Sequence, residues 1–259
     1  MFTEHDLTPA VTAVQEEHDI LVLDAGQDFE TLPTAAAEDL GLLVDDLDPL
    51  SAPDVWLPPD APEVLREYAS DAFTVGMPGD GSVAWTRQTD PPVVVCKPRL
   101  DDTPDAFADF LVAEAVVQAG LGDPEHFLGF FADRYPEFDA ALDPLGPVET
   151  YQVAAACYDA FLGVAARDRF AGWQTGATAP LFEAWVDAGD RLAGRLEGLP
   201  GGVARGETGF ADAAELACSG VKHALDIPTP FDALDTAAYR DHGAAYAVRW
   251  AEKTAETVE

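Results

Sequence analysis

The sequence predicts an α+β fold that is mostly α-helical, in which a small antiparallel three-stranded sheet packs against a larger helical bundle. Three observations carry this. β-Branched and aromatic residues gather between residues 73 and 97. From residue 103 onward, apolar residues recur at helical spacing, as in Ala154, Tyr158, Phe161 and Ala165, or Leu181, Trp185, Leu192 and Leu196. Hydrophobic residues make up 48% of the chain, with 5 Trp, 6 Tyr and 14 Phe. That suffices for a core and excludes wholesale disorder. No repeat of fixed period is present, so a solenoid is not expected.

The elements follow in order. Thr8 caps a helix opened by Pro9 and running to about His18. The apolar run 20–23 has the character of a short strand, and 33–43 reads as a helix that Gly41 weakens at its end. Residues 48–60 carry Pro49, Pro53, Pro58 and Pro59 and form a loop. It separates an N-terminal segment, 1–59, from a core, 60–259, within one compact domain. Asp60 caps a helix to Tyr68. Strands at 73–77, 83–88 and 93–97 are joined by Pro78-Gly79-Asp80-Gly81 and Thr89-Asp90-Pro91-Pro92, which predicts a β-meander over 73–97. Helices are then predicted at 103–120, 124–133, 136–142, 147–167, 179–197, 210–225 and 235–256, so that 103–256 forms the bundle. The run Phe127-Leu128-Gly129-Phe130-Phe131 reads as packing.

Charge narrows the function classes. The chain has 48 Asp and Glu against 14 Lys and Arg, of which only three are Lys, for a net charge of -34. The acids are spread along the chain, which fits a solvated surface. At ~1 M salt the Debye length is about 3 Å, so such a surface no longer repels itself. An acidic protein adapted to molar salt is expected. A strongly negative surface also repels phosphates, which argues against a nucleic-acid partner. No stretch approaches the ~20 apolar residues of a membrane span, and the start of the chain lacks the basic and apolar regions of a signal peptide. A cytoplasmic protein with no membrane contact is expected. Cys96, Cys157 and Cys218 are odd in number and far apart, so no disulfide framework is implied. The five histidines show no H-x-x-x-H or H-E-x-x-H spacing. On one helix Cys218 and His223 would point about 140° apart. No metal site and no cofactor are expected, and Cys157 and Cys218 read as small buried hydrophobes.

Two candidate sites emerge. On the helix from residue 103, Glu114 lies opposite Asp105 and Asp109 and in line with Phe107, Phe110 and Leu111. A carboxylate there is desolvated and needs a partner. The nearest cations are Lys97 and Arg99, so a Lys97–Glu114 pair is expected. With Arg87 they make three cations on one small sheet, a candidate site for an anionic or phosphorylated ligand. The second candidate is the last helix, where Tyr239, His242, Tyr246, Arg249, Trp250 and Lys253 fall on one side. This aromatic and basic stripe suits a protein partner or self-association. A non-enzymatic protein acting through that surface is the leading expectation.

Two resemblances bear on these sites. Gly76, Gly79 and Gly81 before Val83, then Val94-Val95-Cys96-Lys97 and Glu114, resemble the N-lobe of protein kinases. The glycines stand as G-x-x-G-x-G, and nothing downstream resembles H-R-D-x-x-x-x-N or D-F-G. The resemblance therefore implies a phosphate-holding sheet without phosphotransfer. In overall character, in segments such as Phe73-Thr74-Val75-Gly76-Met77-Pro78 and Ala247-Val248-Arg249-Trp250-Ala251-Glu252-Lys253, the chain resembles uncharacterised protein families of halophilic archaea. That implies a source and a compartment but no mechanism.

Overall fold

In the computed structural model, residues 1–32, 34–77 and 81–258 are described. The predicted helix start at Pro33, the turn residues Pro78, Gly79 and Asp80, and Glu259 lie outside them. The chain forms two compact units, one of residues 1–51, 63–125 and 169–185, the other of 52–62, 126–168 and 186–259. Residues 1–51 thus share a unit with the predicted meander.

The first unit is built on a mixed four-stranded sheet, ordered β1-β2-β6-β4. Its elements are β1 (Phe2–Glu4), α1 (Pro9–Gln15), β2 (Leu21–Ala25), α2 (Thr34–Leu40), β3 (Asp46–Leu47), α3 (Glu63–Ala69), β4 (Val83–Thr86), β5 (Thr89–Asp90), β6 (Val93–Cys96) and α4 (Asp105–Gly120). β3 and β5 pair separately as a two-stranded ribbon. All four residues of β6 are buried. Such an unbroken Val run is the pattern of a strand covered on both faces. Leu23, Ala25, Val93 and Val95 face one hydrophobic cluster with Phe29, Phe73 and Val75, and α4 packs with β4 and β6.

The sheet corrects the predicted three-stranded antiparallel meander. β4 and β6 pair antiparallel as expected, but β2 pairs parallel to β6 on its other side, and the place assigned to residues 73–77, beside β4, is the edge of the sheet. Those residues are not a strand. Phe73 and Val75 are buried, which is what made the segment look like one. Their backbone is held by other donors instead: Leu32 N donates to Val75 O (2.9 Å), and Gln88 Nε2 donates to Thr74 O (2.7 Å).

The second unit is helical: α5 (Phe127–Phe131), α6 (Tyr135–Ala141), α7 (Pro147–Gly172), α8 (Ala179–Leu196), α9 (Leu199–Ala204), α10 (Phe210–Val221) and α11 (Ala237–Val258). The ends of α7 and α8 nearest each other, residues 169–185, belong to the first unit. α5 ends two residues earlier than predicted because Ala132 adopts φ 51°. Its N-cap is His126, whose Nδ1 accepts from Leu128 N (3.1 Å). Burial pushes the His126 pKa down to about 3, which keeps the ring neutral and able to accept. Aromatic rings and alanines share the core. Phe130 meets Phe161 at 4.6 Å and Phe131 meets Phe138 at 4.5 Å between ring centroids. α7 closely approaches the end of α10, where a Cβ on Gly163 would stand 2.9 Å from Lys222 Cβ and 3.0 Å from its backbone nitrogen. Gly163→Ala is therefore expected to destabilise this unit by about 1–3 kcal/mol, as overpacking does. Chemical denaturation read by tryptophan fluorescence checks it.

Candidate metal centre

The three predicted anion-binding cations do not converge. Lys97 follows β6, and its backbone N donates to Ser82 O (2.8 Å). Arg87 therefore stands five residues farther along β4, roughly 17 Å at ~3.4 Å per residue. Arg87 is exposed and donates to Asp123 O (3.2 Å). Arg99 is taken up by carboxylates, with Nε 2.8 Å from Asp28 and Nη2 2.7 Å from Glu30. These bonds hold the Asp28 carboxyl below its ordinary range. Lys97 is 1% exposed, with Nζ 4.9 Å from the centre of the Phe29 ring. Glu114 is 5% exposed and accepts from Gln118 Nε2 (3.2 Å). Gln118 Oε1 in turn accepts from Trp85 Nε1 (3.1 Å), which ties α4 to β4.

The predicted stripe on α11 is also broken up. Gly243 has φ 50° and ψ −129°, so the helix is kinked there, and residues before and after the kink are out of phase. Tyr239 is 0% exposed, and its hydroxyl donates to Cys157 O (2.7 Å). Trp250 is buried against Phe210 and Phe231, and its Nε1 donates to Pro230 O (2.9 Å). Tyr246 is half-buried, and only His242, Arg249 and Lys253 are exposed.

Unanticipated in the sequence is a meeting of His5, Asp24 and Cys96. His5 lies just past β1, where its backbone N donates to Val22 O (3.0 Å). Asp24 and Cys96 are register partners at the carboxyl ends of the parallel strands β2 and β6. Strand alternation places both on the face opposite Leu23 and Val95. His5 Nδ1 lies 2.6 Å from Asp24 Oδ1. One ligating atom from each of the three residues lies within 4.8 Å of the others. Cys96 is 2% exposed, whereas the His5 and Asp24 side chains are 25% and 45% exposed.

Nitrogen, carboxylate oxygen and sulfur are the donor set of a zinc-class ion. In a tetrahedral zinc sphere such donors stand roughly 3.3–3.6 Å apart, so the His5–Asp24 contact at 2.6 Å must open and the wider separations close by about 1 Å at most. The same residue types could make a Cys-His-Asp nucleophile. Here the thiol argues otherwise: burial, and secondly the charge of Asp24, push Cys96 up to about 12. Such a thiol is neither ionised nor reachable. A bound cation reverses this, because a coordinating thiol loses its proton.

A second polar cluster in the same unit is a brace. Tyr68 Oη (3.1 Å), Thr86 Oγ1 (2.8 Å), Arg87 N (2.7 Å) and Gln88 Nε2 (2.5 Å) all donate to Glu125. Burial nevertheless raises the Glu125 pKa above its ordinary value near 4.5, the hydrogen bonds opposing. A raised carboxyl means that the folded state holds its proton more tightly than the unfolded state. The contribution is thus complete below about pH 4.5 and is lost as pH rises through the folded pKa. In thermal melts at successive pH values from about 4.5 upward, wild type is expected to lose stability with pH faster than Glu125→Gln. Parallel curves would contradict it.

Among the described residues, no helix is long and apolar enough to cross a membrane. Residues 1–258 match the Family of unknown function (DUF7089), and the chain belongs to that family. No curated protein and no solved structure matches the chain.

Proposed function

We propose that this member of the family is a metal-binding protein that takes a zinc-class divalent ion at His5, Asp24 and Cys96. The observation that carries the reading is the convergence of nitrogen, oxygen and sulfur donors from three strand ends within 4.8 Å. Thiolate and imidazole favour zinc and its neighbours. Hard ions such as Mg²⁺ and Ca²⁺ prefer all-oxygen shells. Burial of Tyr239 and Trp250 speaks against the docking stripe on α11, and the ladder geometry speaks against a joint anion site at Arg87, Lys97 and Arg99. The test is a calorimetric titration of metal-stripped full-length protein with zinc. One tight site per chain is expected, weakened at least about 100-fold in Cys96→Ser and in His5→Ala, more than loss of an outer-shell partner alone. Unchanged binding in both variants would refute the assignment, since it would place any zinc on surface carboxylates.

The acidic surface fits a protein that works in molar salt. With a net charge of -34, self-repulsion is strong in dilute buffer and screened at high ionic strength. The thermal midpoint is expected to climb as KCl rises from about 0.05 to about 2 M. A flat or falling trace counts against the adaptation.

A further inference from the structure

We infer that the metal centre offers one coordination position to an external donor, and that this position takes an uncharged nitrogen ligand of the imidazole class in preference to an anion. The inference rests on the metal-centre reading above. Its first support is donor number. Among the described residues the cluster gathers three donors, and a zinc-class ion takes four. Its second is direction. Cys96 faces the interior, whereas Asp24 and His5 keep contact with solvent. A small molecule arriving from solvent would therefore reach such an ion on the His5 and Asp24 side.

Charge selects the class of donor. A divalent ion held by one thiolate, one carboxylate and one neutral imidazole forms a centre of zero net charge. It gives an approaching anion no Coulomb attraction, unlike a centre held by neutral ligands alone. Arg99, three residues beyond Cys96, does not make up the difference, since its guanidinium is already bonded to Asp28 and Glu30. The surrounding chain, with 48 acids against 14 bases, adds a negative field. A neutral nitrogen donor bears neither cost.

Cobalt substitution tests this with distinguishable outcomes. Full-length protein is loaded with Co²⁺ in buffered potassium sulfate. The thiolate-to-cobalt charge-transfer band, absent in Cys96→Ser, reports the centre itself. The visible d–d bands report the fourth position. Imidazole, azide and inorganic phosphate are then titrated separately. Imidazole is expected to shift the d–d bands saturably with the charge-transfer band retained. Azide and phosphate should need at least about tenfold higher concentration for any shift. A charge-transfer band with no response to imidazole would show a centre closed to external donors and overturn the inference alone. Azide binding as readily as imidazole would overturn it too, as would loss of the charge-transfer band on adding imidazole. No charge-transfer band in wild type would bring down the metal centre and the inference together.

Discussion

Replacing Tyr239 with alanine is expected to destabilise the helical unit by about 3–5 kcal/mol, the range for deleting a buried aromatic side chain. The ring is fully buried and meets Phe161 at 5.7 Å and Tyr246 at 5.6 Å between centroids. Its hydroxyl satisfies the Cys157 carbonyl. Tyr239→Phe keeps the packing and removes only that bond, so it should cost about 1 kcal/mol. Equilibrium unfolding in denaturant separates the two. An exposed docking residue would behave differently, since surface substitutions usually stay within about 0.5 kcal/mol. A near-neutral Tyr239→Ala would therefore return this residue to a partner surface.

The second large effect is stabilisation by metal. A ligand that binds only the folded state at a thousandfold excess over its Kd contributes about 4.1 kcal/mol. For a chain of this size that corresponds to a rise on the order of 10 °C in the melting temperature of the sheet-bearing unit. Zinc should give that rise in wild type and little or none in Cys96→Ser. Mg²⁺ at the same concentration should give none, since its preferred shell contains no sulfur. An equal response to Mg²⁺ would show that general charge neutralisation of the acidic surface is at work.

What the sequence reveals and what it hides divide along physical lines. β6 is legible because Val93, Val94, Val95 and Cys96 form an unbroken apolar run. The burial of Glu114 is legible because a helix repeats every 3.6 residues, so its phase on α4 can be counted. The parallel pairing of β2 with β6 is not legible. It joins segments some 70 residues apart, and no local pattern says which apolar run wins the central place. Residues 73–77 stay out of the sheet, although Phe73, Val75 and Met77 alternate as in a half-buried strand. The stripe on α11 fails for a different reason. Its spacing assumes one continuous helix, and Gly243 adopts a positive φ that breaks the phase. Glycine inside a helical pattern is the signal that could have warned of it. α9 hides behind Leu199-Pro200-Gly201-Gly202, which reads as loop, although a proline in the first turn is compatible with a helix start.

The candidate metal centre is the least legible feature. Its residues stand at positions 5, 24 and 96, and no local spacing links them. The nearest thing to a signal is Asp24, a charged residue within the otherwise apolar strand Leu21-Val22-Leu23-Asp24-Ala25. A charge in a central strand needs a reason, and here the register sets Cys96 opposite Asp24 while the chain just past β1 brings His5 beside it.

The most direct measurement is anomalous diffraction from crystals of the full chain grown with zinc, with data on both sides of the zinc absorption edge. A single strong anomalous peak is predicted between His5, Asp24 and Cys96, about 2.3 Å from the sulfur and about 2.0–2.2 Å from the nitrogen and oxygen. Zinc peaks scattered over surface carboxylates, with none at Cys96, would contradict the account.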